Sequence, residues 1–260
     1  MTTRNLLLAV AAVAVLASPK PAQAQDFRWH GAIPRGQAIE IKGVNGDVRA
    51  EPSGSNEVEV VAEKRATKDN PESVRIEVVP HAGGVTICAV YPSRDGSKPN
   101  ECRPGKDGRM NSQNNDVQVR FIVRVPAAVT FVGKTVNGEV EATRLNGDVA
   151  LSTVNGSITF STTGGGSATT VNGSIRGEMG RADWADTLEM STVNGSITLT
   201  LPPTLSTDVR ASTVNGDINT DFPMTITGRI SRRKLEGTIG GGGRVLSVES
   251  VNGSITLKRE

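Results

Sequence analysis

Aromatic side chains are scarce in this chain of 260 residues: Phe, Trp and Tyr together make up 3 %. A surface that binds sugars by ring stacking normally displays more of them. Two histidines, His30 and His81, have no Cys or second His at ligand spacing, so the residues offer no zinc site. There is no Gly-x-Ser-x-Gly elbow, and the glycine runs at 164–166 and 240–243 are not followed by a Lys-Ser/Thr pair. The calcium nonapeptide of secreted β-rolls is missing too. No cofactor is indicated.

Long hydrophobic runs are also absent. The longest, Leu6 to Leu16, covers eleven residues, where a helix needs about 20 to cross a bilayer core. Arg4 precedes this run, and Ala22-Gln23-Ala24 ends the small residues after it, which together read as a secretory signal over residues 1–24 cleaved before Gln25. No transmembrane segment is expected after cleavage, and no Cys follows the cleavage box to take a lipid. Export to the periplasm is the default expectation, with the cell surface or secretion as alternatives.

An excess of one charge is missing as well. Removing residues 1–24 takes away Arg4 and Lys20 and no acid, leaving 27 basic against 27 acidic side chains. Counterion release from nucleic acid and attraction to anionic lipid both need a positive excess, so nucleic acid is not an expected partner. Cys88 and Cys102 are the only cysteines. In an exported chain they read as a disulfide, and a loop of that size is worth about 3 kcal/mol in the chain-entropy model.

What the sequence does hold is a repeated five-residue word: an aliphatic residue, Asn, Gly, then Asp, Glu or Ser, then Val or Ile. Its corners are Asn45-Gly46, Asn137-Gly138, Asn146-Gly147, Asn155-Gly156, Asn172-Gly173, Asn194-Gly195, Asn215-Gly216 and Asn252-Gly253. Leu235-Glu236-Gly237-Thr238-Ile239 reads as a degenerate copy, and with it the spacing settles near 20 residues. Apolar and polar residues alternate on both sides of the word, as in Val209, Ala211 and Thr213 before it and Ile197, Leu199 and Leu201 after it. Period two with Val, Ile and Thr signals strands, and Asn-Gly signals a corner because both residues tolerate positive φ.

Two architectures share this signature: a meander of type I′ hairpins and a β-solenoid whose units stack in parallel at about 4.8 Å. Two arguments favour the solenoid. The aliphatic residue before Asn, Val in seven of eight copies, would face outward in a hairpin, whereas a solenoid corner could turn it inward. The same amide at every corner would also build an Asn ladder from rung to rung.

The fold class expected is therefore all-β: a β-solenoid of roughly 20-residue repeats over 131–260, behind a β-rich N-terminal capping section, 25–130. That section carries strands near 38–41, 58–62, 74–79, 85–90 and 117–125, and a polar loop over 92–116 tied by the disulfide.

The repeated Val-Asn-Gly-Asp/Ser-Ile word, the lead-in Arg124-Val125-Pro126-Ala127, and the ending from Gly240–Gly243 through Val251-Asn252-Gly253-Ser254-Ile255 resemble the putative-adhesin domain of bacterial envelope proteins, a β-repeat family of unknown function. The resemblance implies a solenoid-like fold and export, and says almost nothing about activity. Unlike self-displayed adhesins, the sequence shows no C-terminal membrane barrel pattern and no wall-sorting tail, which makes the periplasm the default expectation.

Three functions are then open: a non-enzymatic envelope scaffold or binding protein, which is favoured; a surface adhesin; and a polysaccharide-active β-helix enzyme. The last needs converging acids, and Asp47, Glu139, Asp148 and Asp217 are spread along the chain. An envelope protein or a glycan is the expected partner. Two insertions interrupt the repeat. One carries Trp184 between Asp183 and Asp186, a stacking platform or core filling; the other carries Arg229, Arg232, Arg233 and Lys234, a surface for anionic envelope groups or a solvated loop.

Overall fold

The computed structural model describes residues 26–94, 98–112, 114–181, 184, 187–226 and 231–260; the expected signal at 1–24 lies outside these. The first section runs β1 (Phe27–Gly31), β2 (Ala38–Lys42), β3 (Val48–Pro52), β4 (Val58–Arg65), a single 3-10 turn Pro71–Ser73, β5 (Arg75–His81), β6 (Gly84–Val90) and β7 (Gln118–Val125). The repeat region continues with β8 (Thr130–Lys134), β9 (Val140–Leu145), β10 (Val149–Ser152), β11 (Ile158–Thr162), β12 (Gly166–Asn172), β13 (Ile175–Met179), β14 (Leu188–Asn194) and β15 (Ile197–Leu201). It closes with β16 (Thr207–Asn215), β17 (Ile218–Thr220), β18 (Met224–Ile226), β19 (Lys234–Ile239), β20 (Val245–Asn252) and β21 (Ile255–Arg259).

These strands form two facing sheets, ordered β1-β4-β7-β3-β9-β11-β13-β15-β21-β17 and β18-β19-β16-β20-β14-β12-β10-β8-β2-β6-β5. Each rung is a pair of strands, one per sheet, joined at a corner, and rung stacks on rung in parallel register: Ile158 pairs with Val140 and Ile175, and Ile197 with Ile175 and Ile255. The fold is a β-solenoid. Alternation places Ile39, Ile41, Phe121, Phe131, Ile158, Phe160, Leu199 and Leu257 between the sheets, all buried. Each such side chain contributes about 1.5–3 kcal/mol.

Residues 26–125 also supply two parallel rungs, β2/β3 and β6/β7, as well as three antiparallel strands. Those three, β4 with β1 on one sheet and β5 on the other, close one end of the stack. At the other end β19 and β18 cover β16 antiparallel. Three of the four terminal rung strands, β7, β6 and β16, are covered in this way, while short β17 ends its sheet without a covering strand; the cover blunts parallel edges that would recruit other chains.

Several sequence expectations need correction. The degenerate copy is no corner: Leu235-Glu236-Gly237-Thr238-Ile239 lies in straight β19 with strict buried and half-buried alternation. With Glu236 in place of Asn it has no amide to join a ladder. Positive φ is not what the word requires either, since no corner Asn adopts it and among the corner glycines only Gly46 and Gly253 do. Six of the seven valines do not turn inward, and only Val44 packs partly buried against the core. Val136, Val154, Val171, Val193 and Val251 are 38–39 % exposed and Val214 is 55 %.

Val exposure follows from ordinary alternation. The residue before each Val, Thr135, Thr153, Thr170, Thr192, Ser250 or Thr213, is the buried one, so the next must point out. The amides do stack from rung to rung, while the valines of the same corners point out to solvent.

Candidate functional site

Seven of the eight words line up along one edge of the stack, in the order Asn45, Asn137, Asn155, Asn172, Asn194, Asn252, Asn215. Their amides hydrogen-bond without a break: Nδ2 of Asn137 donates to Oδ1 of Asn45 at 2.9 Å, Asn155 to Asn137 at 2.8 Å, and Asn172 to Asn155 at 2.7 Å. Asn194 then donates to Asn172, Asn252 to Asn194, and Asn215 to Asn252, each at 2.8 Å. Each interior amide spends one of its two N–H groups and one of its two lone pairs on the ladder, which leaves one donor and one acceptor per rung for a ligand or water.

Asn146-Gly147 is the exception. It turns the chain at the opposite edge between β9 and β10, where Oδ1 of Asn146 accepts from the Thr163 hydroxyl at 3.4 Å.

Two further ladders flank the amides. Inside, on every rung but that of Asn45, the Thr or Ser two residues before the Asn donates to the Gly carbonyl of the rung beneath, as Thr153 does to Gly138 (2.9 Å), Ser250 to Gly195 (3.0 Å) and Thr213 to Gly253 (2.8 Å). Outside runs the file of valines, stacked Val on Val. In stacking order the rungs of Asn155, Asn172, Asn194 and Asn252 all read Val-Asn-Gly-Ser-Ile, so the middle of the edge is uncharged at these positions. Acids stand only toward its ends: Asp47 and Glu139 on adjacent rungs, where the Glu139 N–H donates to Asp47 Oδ1 at 2.9 Å, and Asp217 at the far rung. Asp148 lies on the opposite edge, where it accepts from the Gly165 N–H at 2.7 Å.

At the Asn45 end the edge runs into a cleft of about 700 Å³ between the stack and the polar loop, lined among others by Val44, Asn45, Lys106, Arg109, Met110 and Val136. A second hollow of about 410 Å³ lies on the other side of the same corner and holds Asp47, Glu63, Arg65, Asp116, Gln118 and Arg120. Asn45 and Asn137 line both, so the ladder begins as the ridge between them.

The loop is held by a buried polar network that alternation would have assigned to solvent. Glu40, 5 % exposed, points outward from β2 but is covered by the loop. Its carboxylate accepts from Lys134 Nζ (2.7 Å), the Thr86 hydroxyl (2.8 Å) and the Gly105 N–H (2.9 Å). Lys134 also donates to the Gly105 carbonyl at 3.0 Å, and Lys42 donates to the carbonyls of Arg103 and Asp107.

Burial raises the Glu40 pKa, but the bonds from Lys134, Gly105 and Thr86 outweigh it and hold the carboxyl below its ordinary value. Burial, with Lys134 nearby, lowers that of Lys42 against the opposing pull of Glu40. Cys88 and Cys102 are disulfide-bonded with Cα atoms 5.7 Å apart, tying the loop to β6. Tyr91, its pKa pushed up to about 12 by burial, donates to the Val117 carbonyl at 2.8 Å.

Trp184 is not a surface platform: it is 5 % exposed and packs in the core. Arg232 and Arg233 are exposed and sit at the far end of the edge, where their carbonyls accept from the N–H groups of Ile218 (3.1 Å) and Thr213 (2.9 Å). Arg229, Asp183 and Asp186 lie outside the described residues. The cleft and the Glu40 network had no sequence signal beyond a polar loop anchored by a disulfide. Among the described residues no three His, Cys, Asp or Glu side chains cluster as a metal site, and no helix is long and apolar enough to cross a membrane.

A two-sheet β-solenoid with an amide ladder on one edge and a disulfide-tied loop at its end is the class these features define. The chain belongs to the Toastrack family DUF4097, whose model matches residues 32–258. No curated sequence relative matches it. Among solved structures it is similar to a putative cell adhesion protein from Clostridium sporogenes, at 12 % identity, covering 91 % of this chain and 100 % of that one, with a TM-score of 0.48. A putative adhesin from Bacteroides fragilis follows at 10 % identity, 91 % and 97 % coverage and a TM-score of 0.29. One from Parabacteroides merdae has 13 % identity, 90 % and 96 % coverage and 0.25.

Proposed function

We propose that this chain is exported to the cell envelope by the leader at 1–24 and acts there without chemistry of its own, as a scaffold or binding protein whose working surface is the Asn-Val edge together with the cleft at its end. The observation that carries this reading is the edge itself. Six exposed valines in single file lie beside the amide ladder, and the file runs through Val136 to Val44 in the cleft. Contiguous apolar surface rimmed by polar groups is the usual mark of a contact site.

An envelope protein or an envelope glycan is the partner this surface fits: the apolar file supplies contact area, and the spare amide donors and acceptors supply direction. The test is cosedimentation of residues 25–260 with isolated cell-wall sacculi and with outer-membrane vesicles, beside the variant Val171→Asp/Val193→Asp checked for an unchanged circular dichroism spectrum. Binding to one fraction that the variant loses supports the reading. Binding to neither, or equal binding by both proteins, contradicts it, as does shortening of the glycan chains during incubation.

A further inference from the structure

Chain order and stacking order disagree at one place. Residues 245–260, the last in the sequence, form β20 and β21, yet this rung lies between β14/β15 and β16/β17. Both neighbours pair with it in register. Leu246 faces Leu188 on one side and Val209 on the other, Val248 faces Met190 and Ala211, and Ile255 faces Ile197 and Ile218. The corner repeats the arrangement, Asn252 donating to Asn194 and accepting from Asn215. The rest of the chain thus builds a slot one rung wide, and the final sixteen residues fill it.

The arm that fills the slot has the two properties exchange needs. Its anchors are strong, since Leu246, Val248, Ile255 and Leu257 are fully buried. Its tether is four successive glycines, Gly240–Gly243, with φ of +60° at Gly240, +72° at Gly242 and +126° at Gly243, a backbone that glycine enters and leaves without the penalty other residues meet. Nothing in the slot distinguishes its own arm from an identical one on another molecule. While a chain is folding with its arm unplaced, β14/β15 and β16/β17 offer unpaired strand edges that recruit a matching strand.

We propose that residues 245–260 are an exchangeable arm, and that the slot between β14/β15 and β16/β17 is a binding site for the same arm of a second copy of this chain. Reciprocal exchange closes a dimer that keeps every contact between arm and slot and changes only those of the tether, the low-cost route to association that swapping provides. Exchange happens at folding, before the slot is filled, and not between finished molecules.

Glu189 and Ser247 are register partners across β14 and β20, so Glu189→Cys on one chain and Ser247→Cys on another report whose arm fills the slot. The two single variants are unfolded with the Cys88–Cys102 bond intact, mixed and refolded in a glutathione redox buffer. The expected result is a disulfide dimer mapped to positions 189 and 247 by mass spectrometry, its yield about tenfold lower after refolding at tenfold lower concentration. No mapped interchain bond at any concentration overturns the proposal. So does failure of the Glu189→Cys/Ser247→Cys double variant to close any bond, because the pairing itself would then be missing. Deleting Gly241–Gly243 shortens the tether so that the arm reaches a neighbour's slot more easily than its own. A folded dimer is expected, and a monomer or an unfolded chain contradicts the idea.

Discussion

A Cβ built on Gly195 would lie 2.0 Å from the carbonyl oxygen of Gly173, and Gly138, Gly156, Gly173, Gly216 and Gly253 stand in the same relation to the rung beneath, at 2.0–2.3 Å. Glycine is needed here for closeness of approach more than for unusual φ. The asparagine beside it is exposed and makes two ladder bonds, each worth about 0.5–1.5 kcal/mol. Gly195→Ala should therefore cost about 3 kcal/mol or more, through forced separation of two rungs, and Asn194→Ala about 1–2 kcal/mol. Urea denaturation of the two variants measures both; equal costs would contradict the steric account. The valines follow the same local logic. Those flanked by a Val on each side are 38–39 % exposed and Val214, on the terminal rung, 55 %, so their burial is mutual.

At the scale of elements, the polar loop behaves as a part clipped onto the outer face of β2 and β8 by Glu40, Lys134 and Lys42 and onto β6 by the disulfide. The Glu40 pKa is depressed in the folded chain, so its contribution to stability is complete above the ordinary glutamate range, near 4.3, and is lost as pH falls through the lower folded value. Glu40→Gln should remove that part of the acid dependence. Its cost at neutral pH should be about 2–3 kcal/mol, below the usual penalty for breaking a buried pair because Lys134 is a third exposed. Thermal melts from pH 7 to pH 3 on both proteins test this, and identical pH profiles would contradict it.

This element also shows how far the sequence could be read. The strands, the stacking and the disulfide were legible because period-two alternation, the Asn-Gly word and a lone cysteine pair each have one dominant physical cause. Glu40 was not legible, because in Ala38-Ile39-Glu40-Ile41 it occupies the solvent phase of the alternation and only a covering loop makes it buried. Val214 misled for the opposite reason: an apolar type suggested the interior, while its place after Thr213 fixed it outside. Trp184 carried no periodic signal at all, since it lies in an insertion, and its burial depends on contacts distant in sequence.

For the molecule as a whole, two facing sheets share one continuous core, and damage in its middle should spread further than damage at its end. Ile197 is fully buried with a rung on each side, whereas Ile218, on short β17, is only partly buried and pairs with β21 alone. Ile197→Asp should abolish cooperative unfolding, and Ile218→Asp should lower the transition temperature while leaving a single transition. Calorimetry separates these outcomes.

The stacking order Asn194, Asn252, Asn215 is the claim on which the uncharged edge and the slot both depend. A pair of double-mutant cycles to alanine tests it most directly, one on Asn194 with Asn252 and one on Asn194 with Asn215, read by urea denaturation. The account predicts a coupling of about 0.5–1.5 kcal/mol for the first pair and about zero for the second. A coupling between Asn194 and Asn215 with none between Asn194 and Asn252 would show that the rungs stack in chain order, and would contradict it.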